Sequence, residues 1–335
     1  MPVGMMSDNA QHLAHQRYGC KVRNVIAYAQ RRYDVCGLVT GVCVSLYGPV
    51  AMAGACDAAG VQVQVLGTTP TQTQGGSPSS SYLVWLDGKA RVLVNAGADS
   101  ATSFTASGAH VADLDVILFT QLDVANTGDF PWLIQLSMPE KRSRPLPVYG
   151  PDRGKLMPST VTFVRTLFDS KRGVYRYLGD LLDPLGKRTY KLQPQDITQK
   201  RRLDSVVYRN SRLLITASTL AGEPLPALAW RIEAGARTIV FTGNRVENLT
   251  NLSQLARKTD LLIVSGSASD GALSSEQDVT ASALASLAND SGVRQLAFTD
   301  RQPAHPPGAS DNQSWLETHY RGRVSFAAPM DCLSP

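Results

Sequence analysis

The densest cluster of side chains that could do chemistry is Gln121-Leu122-Asp123-Val124-Ala125-Asn126, directly after the apolar run Val116-Ile117-Leu118-Phe119-Thr120. A buried strand that runs into such a segment delivers it to a strand's carboxyl end, where α/β sheets collect ligands. Asp123 brings one carboxylate, Gln121 and Asn126 bring amide oxygens, and Ala125 brings nothing. Zinc takes imidazole, thiolate or carboxylate in a near-tetrahedral set, and this segment is poor in all three. Gln121, Asp123 and Asn126, joined by Asn244 and Asp300 if the resemblance given below holds, would suit an oxygen-only calcium or magnesium site, the alternative to no ion at all. The histidines add little. His12 and His15 fall in an N-terminal segment read below as a leader, His110 and His319 are expected at the surface, and His305 follows Asp300 in a proline-rich loop. There is no G-x-S-x-G elbow, no phosphate-binding loop with its lysine, and no paired-cysteine spacing for structural zinc.

The elements that must position this cluster are short strands punctuated by turns. Val61, Val63 and Val65 alternate with glutamines, and 82–86 and 91–94 flank Asp87-Gly88, a strong hairpin signal. Val116–Phe119 is apolar throughout, as in a strand buried on both faces. A short strand at 147–151 precedes a helix predicted over 158–169, with Pro158-Ser159 at its start and Val161, Val164, Leu167 and Phe168 at helical spacing. The stretch 170–205 is basic, polar and broken by Pro and Gly, and reads as an insertion or lid rather than core. Further strands are predicted at 213–215, 227–232, 238–241, 261–264 and 295–298, and helices around 249–256, 281–288 and 315–320. This alternation implies sheets covered by helices in one α/β domain.

With 335 residues, 43% hydrophobic and 18% charged, the chain is too apolar for a solvated coil, and only one stretch approaches a membrane-length run. Of the net charge of +5, +3 belongs to residues 1–55, and the remainder is too balanced for a nucleic-acid binder. Arg31-Arg32 precede the apolar stretch Val35–Ala55, which closes on Ala51-Met52-Ala53-Gly54-Ala55. Charged region, apolar region and small-residue exit form the secretory signature. Residues 1–55 are therefore read as a leader cut after Ala53 or Ala55, and 56–335 as a domain exported to the periplasm or beyond. A buried helix or a retained membrane anchor is the other reading of that stretch. Cys56 lies where a lipoprotein would be acylated, but Ala53 stands in place of that signal's leucine. With Cys20, Cys36 and Cys43 in or before the leader's apolar stretch, Cys56 and Cys332 remain; they form one disulfide between the termini or stay two free thiols.

Thr120-Gln121-Leu122-Asp123-Val124-Ala125-Asn126 resembles T-H-x-H-x-D-H, the metallo-β-lactamase superfamily signature that follows an apolar strand. Val94-Asn95-Ala96-Gly97 is similar to that family's L-V-D-A-G, and Tyr149-Gly150-Pro151 to the Y-G-P of its ribonuclease Z and arylsulfatase-like branch. Pro226–Ile232 and Thr238–Asn244 are similar to later strands of the same branch, so the likeness covers about residues 61–330. It implies an αββα sandwich of two mixed β-sheets flanked by helices. It also implies two zinc ions activating a hydroxide against esters or phosphodiesters, a cleft for a small anionic or ester ligand, and a homodimer. The family's ligand positions carry over to Gln121, Asp123, Ala125, Asn126, Ala221, Gly222, Asn244 and Asp300, and each departs from the family residue. Asn95 likewise replaces the supporting aspartate. No cofactor is therefore expected, and the expected function is a non-catalytic binding protein; the alternative is an active hydrolase with a nonstandard metal set. Arg245 and Arg301 directly follow two former ligand positions, so at least one guanidinium is expected to enter the cleft and pair with an aspartate, with His305 as a further cleft residue.

Overall fold

A computed structural model of the chain describes residues 56, 59–67, 80–198, 206–243, 245–265, 280–299 and 316–335. All lie in the unit Ala51–Pro335. The first sheet holds β1 (Val61–Gly67), β2 (Ser81–Leu86), β3 (Lys89–Val94), β4 (Val116–Leu118), β5 (Leu146–Pro151), β6 (Leu192–Ile197) and β14 (Cys332–Leu333) in the order β14-β1-β2-β3-β4-β5-β6. The second holds β7 (Val206–Arg209), β8 (Leu213–Ala221), β9 (Ala227–Ala234), β10 (Arg237–Phe241), β11 (Leu261–Val264), β12 (Gln295–Phe298) and β13 (Arg323–Phe326), in reverse chain order. Both are mixed: β3 through β6 run parallel, as do β10 through β13, and the other pairs are antiparallel. Helices α1 (Ser100–Ala106), α2 (Val124–Thr127), α3 (Phe130–Leu136) and α4 (Thr160–Phe168) follow strands of the first sheet, and α5 (Leu249–Leu255) and α6 (Ala281–Ser291) those of the second.

Strand side chains alternate between faces, and here both faces are covered. Tyr82, Val84, Val92, Val94, Val116 and Leu118 meet Leu228, Trp230, Ile232, Ile239, Phe241 and Ile263 between the sheets. The intervening Leu83, Leu93 and Ile117 pack outward with Phe104, Phe130, Val164 and Phe168 from α1, α3 and α4. On the far side Val240, Leu262, Leu296 and Phe298 pack with Leu252, Leu255, Leu284 and Ala288 from α5 and α6. Three apolar layers explain why β4 and β11 read as unbroken apolar runs. At about 1.5–3 kcal/mol per buried large side chain, they are the main stabilising term.

Local signals set the joints. Asp87 and Gly88 both have positive φ, as a two-residue type I′ hairpin turn requires. Ser159 caps α4 by accepting the Thr162 N–H at 3.3 Å, and Thr280 caps α6 through the Ala283 N–H at 3.2 Å. Gly292 ends α6 with φ 69°.

The expectation of an insertion or lid at 170–205 is corrected for its described part. Leu178, Leu181, Tyr190 and Leu192 are buried in the outer core, and β6 forms the edge of the first sheet. The signal was missed because β6 alternates buried ends with exposed glutamine and carries Pro194, as edge strands do. Strands β13 and β14 were also not predicted; β13 is only partly buried and β14 has two residues.

Of the two readings for the remaining cysteines, the structure has the disulfide. Cys56 is bonded to Cys332 with Cα atoms 5.9 Å apart, across 276 residues of sequence. Because β14 pairs with β1 through Val63–Leu333 and Gln64–Cys332, the bridge fastens residue 56 to that edge of the sheet. A Cys56 sulfur so engaged is not free for acylation.

Candidate functional site

Parallel strands of both sheets end at one edge. Asn95 follows β3, Thr120 and Gln121 come just after β4, Thr242 and Gly243 follow β10, Ser265 follows β11 and Thr299 follows β12. Four hydrogen bonds stitch the sheets together there. The Tyr82 hydroxyl on β2 meets Ser265 Oγ at 2.8 Å and Thr299 Oγ1 at 2.6 Å. The Leu228 N–H donates to the Thr120 carbonyl at 2.9 Å, and the Trp230 indole N–H donates to the Phe119 carbonyl at 3.1 Å. At Gly243, a Cβ would lie 3.3 Å from Thr120 Cβ and 3.5 Å from Gln121 Oε1, so the β4 and β10 ends are in close van der Waals contact there.

The floor of this edge is a hydrogen-bond network. Asn95, fully buried and in the left-handed region with φ 61°, accepts the Thr120 N–H on Oδ1 at 2.9 Å. Its Nδ2 donates to Thr120 Oγ1 and to Asn126 Oδ1, each at 3.0 Å. Asn126, 2% exposed, donates its backbone N–H (3.0 Å) and its Nδ2 (2.6 Å) to Asp123 Oδ1. Asp123 is thereby the N-cap of α2. Burial pushes the Asp123 carboxyl above the usual carboxylate range, against the opposing pull of Asn126's hydrogen bonds. Gln121, 1% exposed, stands outside this network, and its Oε1 is buried without a partner among the described residues.

The structure thus brings Gln121, Asp123, Ala125 and Asn126 to the edge. Ala125 is half-buried and contributes a methyl group only. Ala221 ends β8 opposite Ala227, beside the strand that binds Thr120, and Gly222 begins a loop packed on 154–156, where the Leu156 N–H donates to the Pro224 carbonyl at 3.2 Å. Arg245 pairs with Glu247 rather than with an aspartate. Asn244, Asp300, Arg301 and His305 lie outside the described residues, so the expected aspartate pairing rests on Arg301. His110 and His319 are exposed. Sequence reasoning did not single out Tyr82, Thr120, Thr242, Ser265 or Thr299; the signal was there for the last four, each a hydroxyl at the end of an apolar strand.

No family model matches this sequence, and no curated protein matches it. Solved structures do. The metallo-β-lactamase fold protein YhfI from Bacillus subtilis superposes with a TM-score of 0.62 at 17% identity, covering 82% of this chain and 98% of that one. The short form of human tRNase Z gives 0.61 at 16% identity, with the same coverages of 82% and 98%. A diphosphatase of the PhnP family gives 0.55 at 13% identity, again over 82% and 98%. The chain has the metallo-β-lactamase fold: two seven-stranded mixed sheets with flanking helices.

That fold implies a two-zinc centre, and the described residues do not fit one. Asp123 commits Oδ1 to two donors, Asn126 Oδ1 already accepts from Asn95, and amide oxygens are weak zinc donors. Among the described residues no group of three or more His, Cys, Asp or Glu is placed to hold a metal ion. No helix among them is long and apolar enough to cross a membrane.

Proposed function

We propose that this protein is an exported binding protein built on a metallo-hydrolase fold, with a cleft that takes a small molecule and performs no zinc-dependent hydrolysis. The observation that carries this is the network Asn95–Thr120–Asn126–Asp123, which commits the amides and one carboxylate oxygen at this edge to one another. A metal-activated hydroxide requires an ion to bring water's pKa near neutrality, and amide oxygens beside one engaged carboxylate are poor ligands for zinc. Export is supported by the apolar leader with its small-residue exit and by the Cys56–Cys332 disulfide, a bond that persists in oxidising compartments.

The test is elemental analysis of the purified protein with thermal melts in added zinc, manganese or chelator. The expected result is well under one metal per chain and an unchanged melting temperature, since an ion that bound only the folded state would raise it. A stoichiometric metal, or a melting temperature lowered by chelator, transfers the assignment to a hydrolase of esters or phosphodiesters with a nonstandard metal set. N-terminal sequencing from the native host tests export, with a start at residue 54 or 56 expected.

A further inference from the structure

The end of the sandwich opposite the carboxyl edge holds a cleft of about 430 Å³. Turns from both sheets wall it: Asp87 from the β2–β3 hairpin, Asn210-Ser211-Arg212 between β7 and β8, and Gly235 between β9 and β10. Volumes from about 300 Å³ upward suit a small molecule. Leu86 and Leu213, both buried, give the cleft an apolar lining. Its walls are held by their own hydrogen bonds. Asn210 Oδ1 accepts the Arg212 and Leu213 N–H groups, each at 2.8 Å, and its Nδ2 donates to Asp115 Oδ2 beside β4 at 3.3 Å. Asp87 Oδ1 accepts the Gly60 N–H at 3.0 Å. A Cβ at Gly235 would meet nothing within 4 Å, so that side of the cleft is open space.

Two guanidinium groups line this cleft without an acid of their own. Arg209 and Arg212, both exposed, make no ion pair among the described residues. The other charges nearby are matched: Arg144 holds Asp115, Arg231 holds Glu233 at 3.0 Å, and Lys89 faces Asp113 at 3.6 Å. Burial, and after it the Arg212 charge, lowers the pKa of Arg91, so Arg212 stands close enough to repel it. Of the two acids in the lining, Glu233 is answered by Arg231 and Asp87 offsets one arginine, which leaves one positive charge over. We propose that this cleft binds a small monocarboxylate with an apolar body, its carboxylate on Arg209 and Arg212 and its carbon skeleton on Leu86 and Leu213. A guanidinium fork matches the two oxygens of a carboxylate. A phosphate brings a second negative charge beside Asp87 and makes no use of the leucines. An ammonium ion is repelled by both arginines, and a neutral amide leaves their charge unanswered. The site lies at the amino ends of β3 and β10, away from Gln121 and Asp123, and does not depend on what the carboxyl edge binds.

The experiment titrates the full chain with hexanoate and benzoate by calorimetry and thermal melts, against acetate, hexanamide, phosphate and butylammonium. Hexanoate or benzoate is expected to bind and to raise the melting temperature. Acetate, which lacks the apolar body, and hexanamide, which lacks the charge, are each expected to bind about tenfold more weakly or not at all. Arg209→Gln and Arg212→Gln are each expected to weaken carboxylate binding about tenfold, the value of one charge-assisted hydrogen bond. Both side chains are exposed, so the unliganded variants should melt like the parent. Ser211→Trp, which adds bulk to the cleft wall, is expected to abolish binding and reports independently if an arginine variant does not fold. No binding by either carboxylate, equal binding of hexanamide or phosphate, or unchanged affinity in both arginine variants overturns the proposal. Metal content in the same preparation separates this site from the function proposed above: stoichiometric zinc defeats that reading and leaves the carboxylate cleft standing.

Discussion

One oxygen of Asp123 accepts both the backbone N–H and the side-chain amide of Asn126, at 3.0 and 2.6 Å. At that distance the amide acts as the carboxylate's resident counter-group, and Asn126 in turn accepts from Asn95. Asn126→Ala is expected to lower stability by about 2–3 kcal/mol, because it leaves a buried carboxylate oxygen and a buried amide short of partners. Asn95→Ala should cost a similar amount, and the double variant clearly less than the sum, since both act in one network. Urea melts of the three variants provide the measurement; simple additivity would contradict the coupling.

The Cys56–Cys332 bridge closes a loop of 276 residues. Cys56→Ser, or mild reduction, is expected to lower stability by about 2–5 kcal/mol. Proteolysis should then reveal loosening of β14, a two-residue strand that includes the bridged Cys332. Equal melting temperatures for the oxidised and reduced protein would show that the bridge adds nothing.

Arg142 is 2% exposed and donates to four carbonyls, those of Val111 (3.0 Å), Ala112 (3.1 Å), Leu114 (2.7 Å) and Pro145 (2.6 Å). Its guanidinium lies 5.6 Å from the centre of the Tyr190 ring, and burial pulls its pKa down to about 10. Lysine lacks the planar fork, and its donors radiate from a single nitrogen, so it cannot span the four carbonyls that the two terminal nitrogens of Arg142 reach. Arg142→Lys and Arg142→Met should each destabilise by about 3 kcal/mol or more, because buried acceptors lose their donors. A lysine variant that melts like the parent would show that charge alone suffices.

Tyr320 donates its hydroxyl to the Val293 carbonyl at 2.8 Å, and burial raises its pKa from 10.0 to about 12. The folded state therefore holds this proton more tightly than the unfolded chain. The resulting stability is complete below pH 10 and is lost as pH rises through 12, up to about 2–3 kcal/mol. Tyr320→Phe should cost about 1 kcal/mol at neutral pH and flatten this alkaline decline in chemical melts between pH 9 and about 12. An unchanged alkaline slope in the phenylalanine variant would contradict the assignment.

The sequence by itself determined most elements and the fold. Apolar runs such as Val116–Phe119 and Leu261–Val264, the Asp87-Gly88 turn and the Ser159 cap are local signals, and their causes lie within a few residues. By resemblance alone it assigned Gln121, Ala125, Asn126 and Asn95 to positions where the family carries other residue types. Tertiary structure alone decided the rest. The edge strand β6 draws its place from β5, and its polar residues concealed it. Cys56 and Cys332 are equally compatible with free thiols until β14 pairs with β1. Arg245 pairs with Glu247, only two residues along the chain, where an aspartate was expected. Above all, Asn95, Thr120 and Asn126 lie on separate segments, and whether their amides and hydroxyl meet depends on the parallel register of β3 and β4. Hydrogen bonds act over about 3 Å, so composition can name the partners, and only the packed sheets can bring them within reach.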